Sequence, residues 1–165
     1  MKTKTKKNAK RKLYWDQSQM AWLVGIKPFE GENLYSDKTV VEKLSRKLLK
    51  VGGTNVCVLF NTPRFISEAI IKHGVVFSPN SIKLNPGEPS NCHQNAGRLW
   101  KTDKRAYRLC TGYGLSEDQM WRPHSWLEDK AGNIIETTVP REIYFGVGHT
   151  GKGAEGFCEY FGISS

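Results

Sequence analysis

His124-Ser125-Trp126-Leu127-Glu128, Asp129-Lys130-Ala131-Gly132-Asn133 and Ile134-Ile135-Glu136-Thr137-Thr138 follow one another without a break. The middle run is turn-forming and its flanks carry the apolar and β-branched residues of strands, so the stretch reads as a β-hairpin. Centred near Lys130, the hairpin sets His124 directly across from Glu136, with Cβ atoms about 5 Å apart on one face. A glutamate there accepts a hydrogen bond from the imidazole and fixes its tautomer. Trp126, two residues along, falls on the same face and screens the pair from water. Everything in this reading depends on register, because a slip of one residue turns a whole strand over.

Outward from the hairpin, the second half of the chain reads as mostly β. Strands are expected over about 106–115, 121–128 and 133–139, with another at Tyr144-Phe145-Gly146-Val147 and a last helical turn or two over 153–161. The first half is more helical. Ser36 or Asp37 caps a helix running to about Val51, with Val40, Leu44 and Leu48 along one face and Gly52-Gly53 stopping it. Asn55 to Phe60 reads as a buried strand, and Asn61-Thr62-Pro63 as the start of a helix with proline in its first turn. Phe65, Ile66, Ala69, Ile70 and His73 follow at helical spacing, and Gly74 ends the segment. Val75 to Phe77 is a short strand, and the Pro-, Asn- and Gly-rich run 78–89 is a loop. That loop leads to a helix beginning near Ser90, with Cys92, Ala96 and Leu99 on one side. Helices first and a meander-like antiparallel sheet second make an α+β fold. One domain, 13–165, is expected behind a basic tail, 1–12.

The formal charge of +9 belongs largely to that tail. Lys2, Lys4, Lys6, Lys7, Lys10, Arg11 and Lys12 are seven basic residues with no acid among them, leaving +2 for the remainder. Such a block is a solvated arm, or a loose, salt-sensitive contact for nucleic acid or another polyanion. No apolar run is long enough to span a bilayer. Asp16, Gln17, Ser18 and Gln19 interrupt the segment 13–26, where a signal peptide would need an apolar core. The expected setting is therefore cytoplasmic, away from membranes. Cys57, Cys92, Cys110 and Cys158 are scattered with no Cys-x-x-Cys pair, so reduced thiols are expected. Cys57 and Cys110 fall in apolar strands and Cys158 in an amphipathic stretch. Cys92 stands in a polar segment that leaves a thiol accessible.

With Ser90 as the N-cap, Cys92 lies in the first helical turn, where free N–H groups and the helix dipole lower a thiol's pKa. Cys92, His124 and Glu136 then supply, in order, the three groups that cysteine catalysis uses. The thiolate attacks, the imidazole takes and returns a proton, and the carboxylate orients the ring. The backbone N–H of Cys92, with a side-chain amide from Asn91, Gln94 or Asn95, is the expected oxyanion site. His93 points about a third of a turn away from Cys92 on a helix, which leaves it a substrate-contact or capping role at most. His149 reads as a loop residue, His73 as a helix-end residue, and Glu117 and Asp118 as turn residues. A zinc site from Cys92, His93, His124 and Cys110 lacks a close-spaced ligand pair other than two adjacent residues, which seldom chelate one metal. No metal or cofactor is expected.

The order of these residues resembles the papain-like cysteine hydrolase superfamily, and most closely its transglutaminase-like branch. In that branch the histidine commonly stands in a His-small-Trp-aliphatic-Glu stretch, and the acid comes just before a Pro/Thr-Thr pair after a short hairpin. His124-Ser125-Trp126-Leu127-Glu128 and Ile135-Glu136-Thr137-Thr138 match that pattern. The resemblance covers roughly residues 90–138 and implies a papain-like or transglutaminase-like catalytic core there. Two departures stand out. Glutamate replaces the more usual aspartate, and Asn91 precedes the cysteine where glycine or tryptophan is often near.

The resemblance implies amide chemistry on a protein, peptide or other amide substrate, by hydrolysis, deamidation or acyl transfer. The rival reading is a non-enzymatic binding protein that uses residues 1–12 on nucleic acid or another polyanion.

Overall fold

The computed structural model describes residues 36–57, 63–149 and 151–164. The basic segment 1–12 and its expected polyanion contact lie outside the described residues. So do residues 13–35 of the expected domain and the second half of the expected strand 55–60.

Four helices and seven strands make up the described residues: α1 Lys38–Val51, β1 Asn55–Val56, α2 Arg64–His73, β2 Val75–Phe77, β3 Ile82–Leu84, α3 Cys92–Thr102, β4 Tyr107–Leu115, β5 Met120–Asp129, β6 Ile134–Glu136, β7 Ile143–His149 and α4 Lys152–Tyr160. The fold is mixed α and β with a mostly antiparallel sheet. Helix α1 begins where its sequence says. The Asp37 carboxylate accepts the Val40 N–H at 2.9 Å, and the Gly52 N–H closes the last turn on the Leu48 carbonyl. Pro63 stands one position before the first residue of α2 and fixes the entry of the chain.

The sheet runs β2-β7-β4-β5-β6-β3, with β1 added beside β5. Strands β4, β5 and β6 form the expected meander. Strand β7 does not continue it but crosses back to the other side of β4, pairing Gly112 with Gly146. The run 78–89 is not all loop. Ile82, Lys83 and Leu84 pair in parallel with β6, held by the Ile134 N–H on the Ser81 carbonyl and the Asn85 N–H on the Glu136 carbonyl. Three residues between proline, asparagine and glycine carry too little pattern to be seen without their partner. Cys57 is half-buried rather than a core residue, and its N–H donates to the Trp121 carbonyl.

Strand alternation divides the sheet into two faces. Leu109, Leu127 and Ile135 pack under Ala96 and Trp100 of α3 and Ala154 and Phe157 of α4. Tyr113, Leu115, Trp121 and Phe145 pack under Leu44, Leu48, Ile66 and Ile70 of α1 and α2. These odd-numbered strand residues form the helix-covered face. The even-numbered residues of the other face build a smaller core of Cys110, Trp126, Ile134 and Tyr144, closed by Phe77.

Strand β5 has two unlike edges. Along one it is paired with β4 from end to end. Along the other it meets β1 at Met120 and Trp121 and β6 at Leu127 and Glu128, with no strand between them among the described residues. In an antiparallel ladder alternate residues turn their N–H and C=O to the same side, so the positions that no described strand pairs there are Pro123 and Ser125. Proline fits there because it has no N–H to lose. The first turn of α3 fills the opening.

Strands β4 and β7 approach closely at Gly112 and Gly146. A Cβ on Gly112 would lie 2.1 Å from the Phe145 carbonyl oxygen and 2.5 Å from the Gly146 Cα. Both neighbours are backbone and cannot swing aside. Gly112→Ala is expected to lower stability by about 1–3 kcal/mol, as overpacking does. Urea denaturation would check this, and a change under about 0.5 kcal/mol would contradict the close approach.

Candidate active site

The hairpin that carries His124 and Glu136 is built around Asp129. Its carboxylate accepts the N–H groups of Ala131 and Asn133, both at 2.9 Å, while Gly132 takes φ +80°. This turn sets a register that differs from the expected one. Leu127 lies across from Ile135 and Glu128 from Ile134, so β6 is displaced by two residues. A displacement of two keeps every side chain on its own face. Continued, it places Glu136 across from Trp126 and diagonal to His124, a gap that a long side chain spans. The expected direct opposition of His124 and Glu136 is thus corrected. Their contact holds nonetheless, with His124 Nε2 2.8 Å from Glu136 Oε2 and both side chains fully buried.

Glu136 is held from several sides. Its Oε2 also accepts the Tyr144 hydroxyl at 2.8 Å, and its Oε1 accepts the Thr138 N–H and hydroxyl at 2.8 and 3.0 Å. Burial works against the charge. It is outweighed by the bond to His124 and its charge, then by Thr138 and Tyr144, so the carboxyl stays below its ordinary pKa. The second threonine of the Thr137-Thr138 pair therefore has a physical role as a clamp on the acid. Tyr144 reaches Glu136 from β7, and no local pattern in the sequence signals it. Its own hydroxyl pKa is driven upward, by burial first and then by the Glu136 charge.

Cys92 is the first residue of α3. Ser90 is not its cap, because Ser90 has φ 60°. Asn91 holds the N-cap position without a side-chain bond, and its carbonyl accepts the Asn95 N–H at 2.8 Å. The thiol still falls in the first turn, half-buried at the open edge of β5. Burial raises its pKa. The His124 ring, by hydrogen bonding and charge, and the Ser125 N–H outweigh burial and hold the thiol below its ordinary value, against the Glu136 charge. His124 shifts the opposite way. Burial disfavours its cation, but its interactions with Cys92 and Glu136 raise its pKa. With Nε2 committed to Glu136, the buried Nδ1, which has no hydrogen bond of strict geometry, is the ring atom left for Cys92. The two shifts together favour a thiolate beside an imidazolium.

The remaining predicted residues separate. Trp126 is fully buried and lies nearly parallel to the His124 ring, with centroids 6.0 Å apart. It covers the pair on the face where it was expected. Asn95 is not free for an oxyanion. Its amide donates to the Glu88 carbonyl at 2.7 Å and accepts the Glu88 N–H at 3.1 Å, tying the preceding loop to α3. Asn91 is exposed and Gln94 half-buried on either side of the Cys92-His93 step. His149 is not in a loop. It ends β7, is buried on the helix-covered face, and burial drives its pKa down to about 3. Asp118 is a turn residue, accepting the Met120 N–H and pairing with Arg122.

His93 is a second departure. Its Nδ1 lies 2.6 Å from the Ser125 Oγ, and its ring stacks on Phe161 with centroids 4.6 Å apart. Ser125 in turn donates to the Thr111 hydroxyl at 3.0 Å. Sequence order gave no signal of this second polar group, which lies on the other face of β5 from His124. Burial, with the neighbouring His124 charge, pushes the His93 pKa down to about 4.

Cys57, Cys92, Cys110 and Cys158 are all free thiols. Among the described residues, no group of three or more metal-ligating side chains could hold an ion, and no helix is long and apolar enough to cross a membrane.

These shifts set a pH dependence of stability. A histidine whose folded pKa lies below its unfolded value of 6.5 contributes stability that is complete above that value and is lost as pH falls toward the folded pKa. For His93 the window is pH 6.5 to about 4, and for His149 it runs from pH 6.5 to about 3. The expected loss from His93 alone across its window is on the order of 3 kcal/mol, at 1.4 kcal/mol per pH unit. Glu136, with its lowered pKa, adds to the acid loss below its ordinary value. Urea denaturation at pH 7.5 and pH 4.5 would measure the difference. His93→Asn should lessen the slope, leaving the part that His149 and Glu136 contribute, and an unchanged slope would contradict a neutral His93.

Comparison with protein-family models, curated proteins and solved structures returned no match.

Proposed function

We propose that the protein is a cysteine hydrolase or acyltransferase acting on an amide-type bond, with Cys92 as nucleophile, His124 as general acid and base, and Glu136 as the orienting carboxylate. The observation that carries this is the buried His124–Glu136 bond of 2.8 Å whose imidazole also couples to a first-turn thiol. Buried ionisable groups are costly unless paired. A chain that buries a carboxylate and a histidine and turns them to a half-buried cysteine has assembled the parts of an activated nucleophile.

In the proposed reaction the Cys92 thiolate adds to the amide carbonyl, and the carbonyl π electrons move to oxygen. The N–H groups of the first turn of α3, which have no intrahelical carbonyl, supply donors for that oxyanion. Collapse of the adduct breaks the C–N bond, with His124 giving its proton to the departing amine. The thioester is then attacked by water or by a second amine. His124 takes the proton from that attacker, and Cys92 is released as the thiolate. Glu136 and Tyr144 keep the ring oriented throughout.

The resemblance to the transglutaminase-like branch of the papain-like superfamily belongs to the same proposal. Support comes from the helix-start cysteine and from the histidine and acid on adjacent antiparallel strands. A reducing, cytoplasmic setting suits the four free thiols and a cysteine nucleophile.

Labelling with iodoacetamide across pH tests the reading. The rate should rise through a midpoint below that of a free thiol, and Cys92→Ala should abolish the fast phase. Glu136→Gln removes the carboxylate that keeps His124 charged, a loss that outweighs relief of its direct repulsion of the thiolate, so the midpoint should rise and the rate at neutral pH should fall. An ordinary thiol titration, or fast labelling that persists in Cys92→Ala, would overturn the assignment.

A further inference from the structure

The Cys92-His93 step straddles the open edge of β5. Successive residues of a strand point to opposite faces, so His124 and Ser125 flank that edge from two sides. Cys92 engages the first and His93 the second. Three contacts fix His93. Its Nδ1 is 2.6 Å from the Ser125 Oγ, its ring stacks on Phe161 at 4.6 Å with an interplanar angle of 15°, and Phe157 closes on it at 6.3 Å. With the Ser125 hydroxyl donating to Thr111 at 3.0 Å, the Nδ1–H of His93 is the donor to Ser125. The ring is then a neutral Nδ1–H tautomer, held in a row of three polar side chains that ends on β4.

We propose that His93 is the positioning residue of the nucleophile: its bond to Ser125, across the strand from His124, fastens the first turn of α3 into the gap in β5. The proposal rests on the reading of Cys92 as the nucleophile. Ser125 has a double part in it. Its hydroxyl anchors the residue after the cysteine, while its backbone N–H faces the sulfur. Apart from the thiol itself, the His93–Ser125 bond is the side-chain tie from that first turn to β5 among the described hydrogen bonds, since Asn91 makes no capping bond and Asn95 is spent on Glu88. Without the anchor, the turn is free to shift along the edge, and the thiol loses its contacts with His124 and the Ser125 N–H. The charged and titratable groups that face the thiol are His124 and Glu136, and neither is removed by changing His93 or Ser125.

Three variants separate positioning from general packing. His93→Phe keeps an aromatic ring against Phe161 and loses the donor. Ser125→Ala keeps the backbone N–H and loses the anchor. His93→Asn places an amide N–H near the position of Nδ1. The readout is the pH midpoint of iodoacetamide labelling at Cys92, which a merely structural role would not move. His93→Phe and Ser125→Ala should raise the midpoint by about one pH unit, while His93→Asn should stay close to the wild type. Folded His93→Phe and Ser125→Ala proteins with the wild-type midpoint would overturn the proposal.

Nitrogen-15 NMR of the wild-type imidazoles keeps it testable if those variants do not fold. His93 should be a neutral Nδ1–H tautomer at pH 6, and an Nε2–H tautomer or a cation would overturn it. An ordinary thiol titration in the wild type would remove the nucleophile reading and this inference together. A lowered midpoint that no variant moves would remove only the role of His93.

Discussion

The interrupted outer edge of β5 is the constraint on which the site depends. Sheets normally satisfy every interior backbone group by pairing, and an edge left open inside a protein must be filled. Among the described residues β1 and β6 occupy the two ends of one edge, and the middle meets the first turn of a helix. A helix start carries N–H groups that lack partners, and an open strand edge carries unpaired backbone groups of both kinds. Bringing the two together solves both problems within one small region. It also lets a residue from the helix-covered side meet a side chain on the opposite face of the sheet, which an unbroken ladder would forbid.

The polar groups of that region form two sets rather than one. His124, Glu136, Tyr144 and Thr138 lie on the face away from the helices, and His93, Ser125 and Thr111 lie beneath α3. Burial acts differently on the two. In the first set a carboxylate compensates the imidazole, so the histidine's pKa rises. In the second there is no carboxylate, and burial depresses the histidine's pKa to about 4. Two histidines on either side of one strand are thereby tuned in opposite directions by their partners.

Much of this was legible in the sequence wherever the deciding contacts are local. The cap at Asp37, the stop at Gly52 and the apolar line Val40, Leu44, Leu48 are set within a few residues of each other. The β5–β6 hairpin was legible for the same reason. Its register was not, because the Asp129 side chain reshapes the turn and shifts the pairing by two residues. The parity of the positions survived that shift, which is why Glu136 still meets His124. What could not be read came from how the strands pair. Tyr144 arrives on β7 by way of β4, strand β3 exists through its pairing with β6, and Ser125 is named as an anchor only by the helix that lands on it. The polar character of Asn95 suggested an oxyanion donor, whereas burial against Glu88 gives it a structural task.

The Tyr144 hydroxyl has a consequence for the sheet as well as for the acid. Glu136 Oε2 meets both the His124 ring, at 2.8 Å, and the Tyr144 hydroxyl, at 2.8 Å, and the tyrosine oxygen also accepts the Arg141 N–H at 3.0 Å. In the sheet β7 and β5 stand on opposite sides of β4, and Glu136 lies on β6 beyond β5. One carboxylate therefore ties together three strands of which β7 is no neighbour of the other two. The acid that orients the imidazole is also a cross-tie of the sheet, so neutralising it loosens the architecture and the site together.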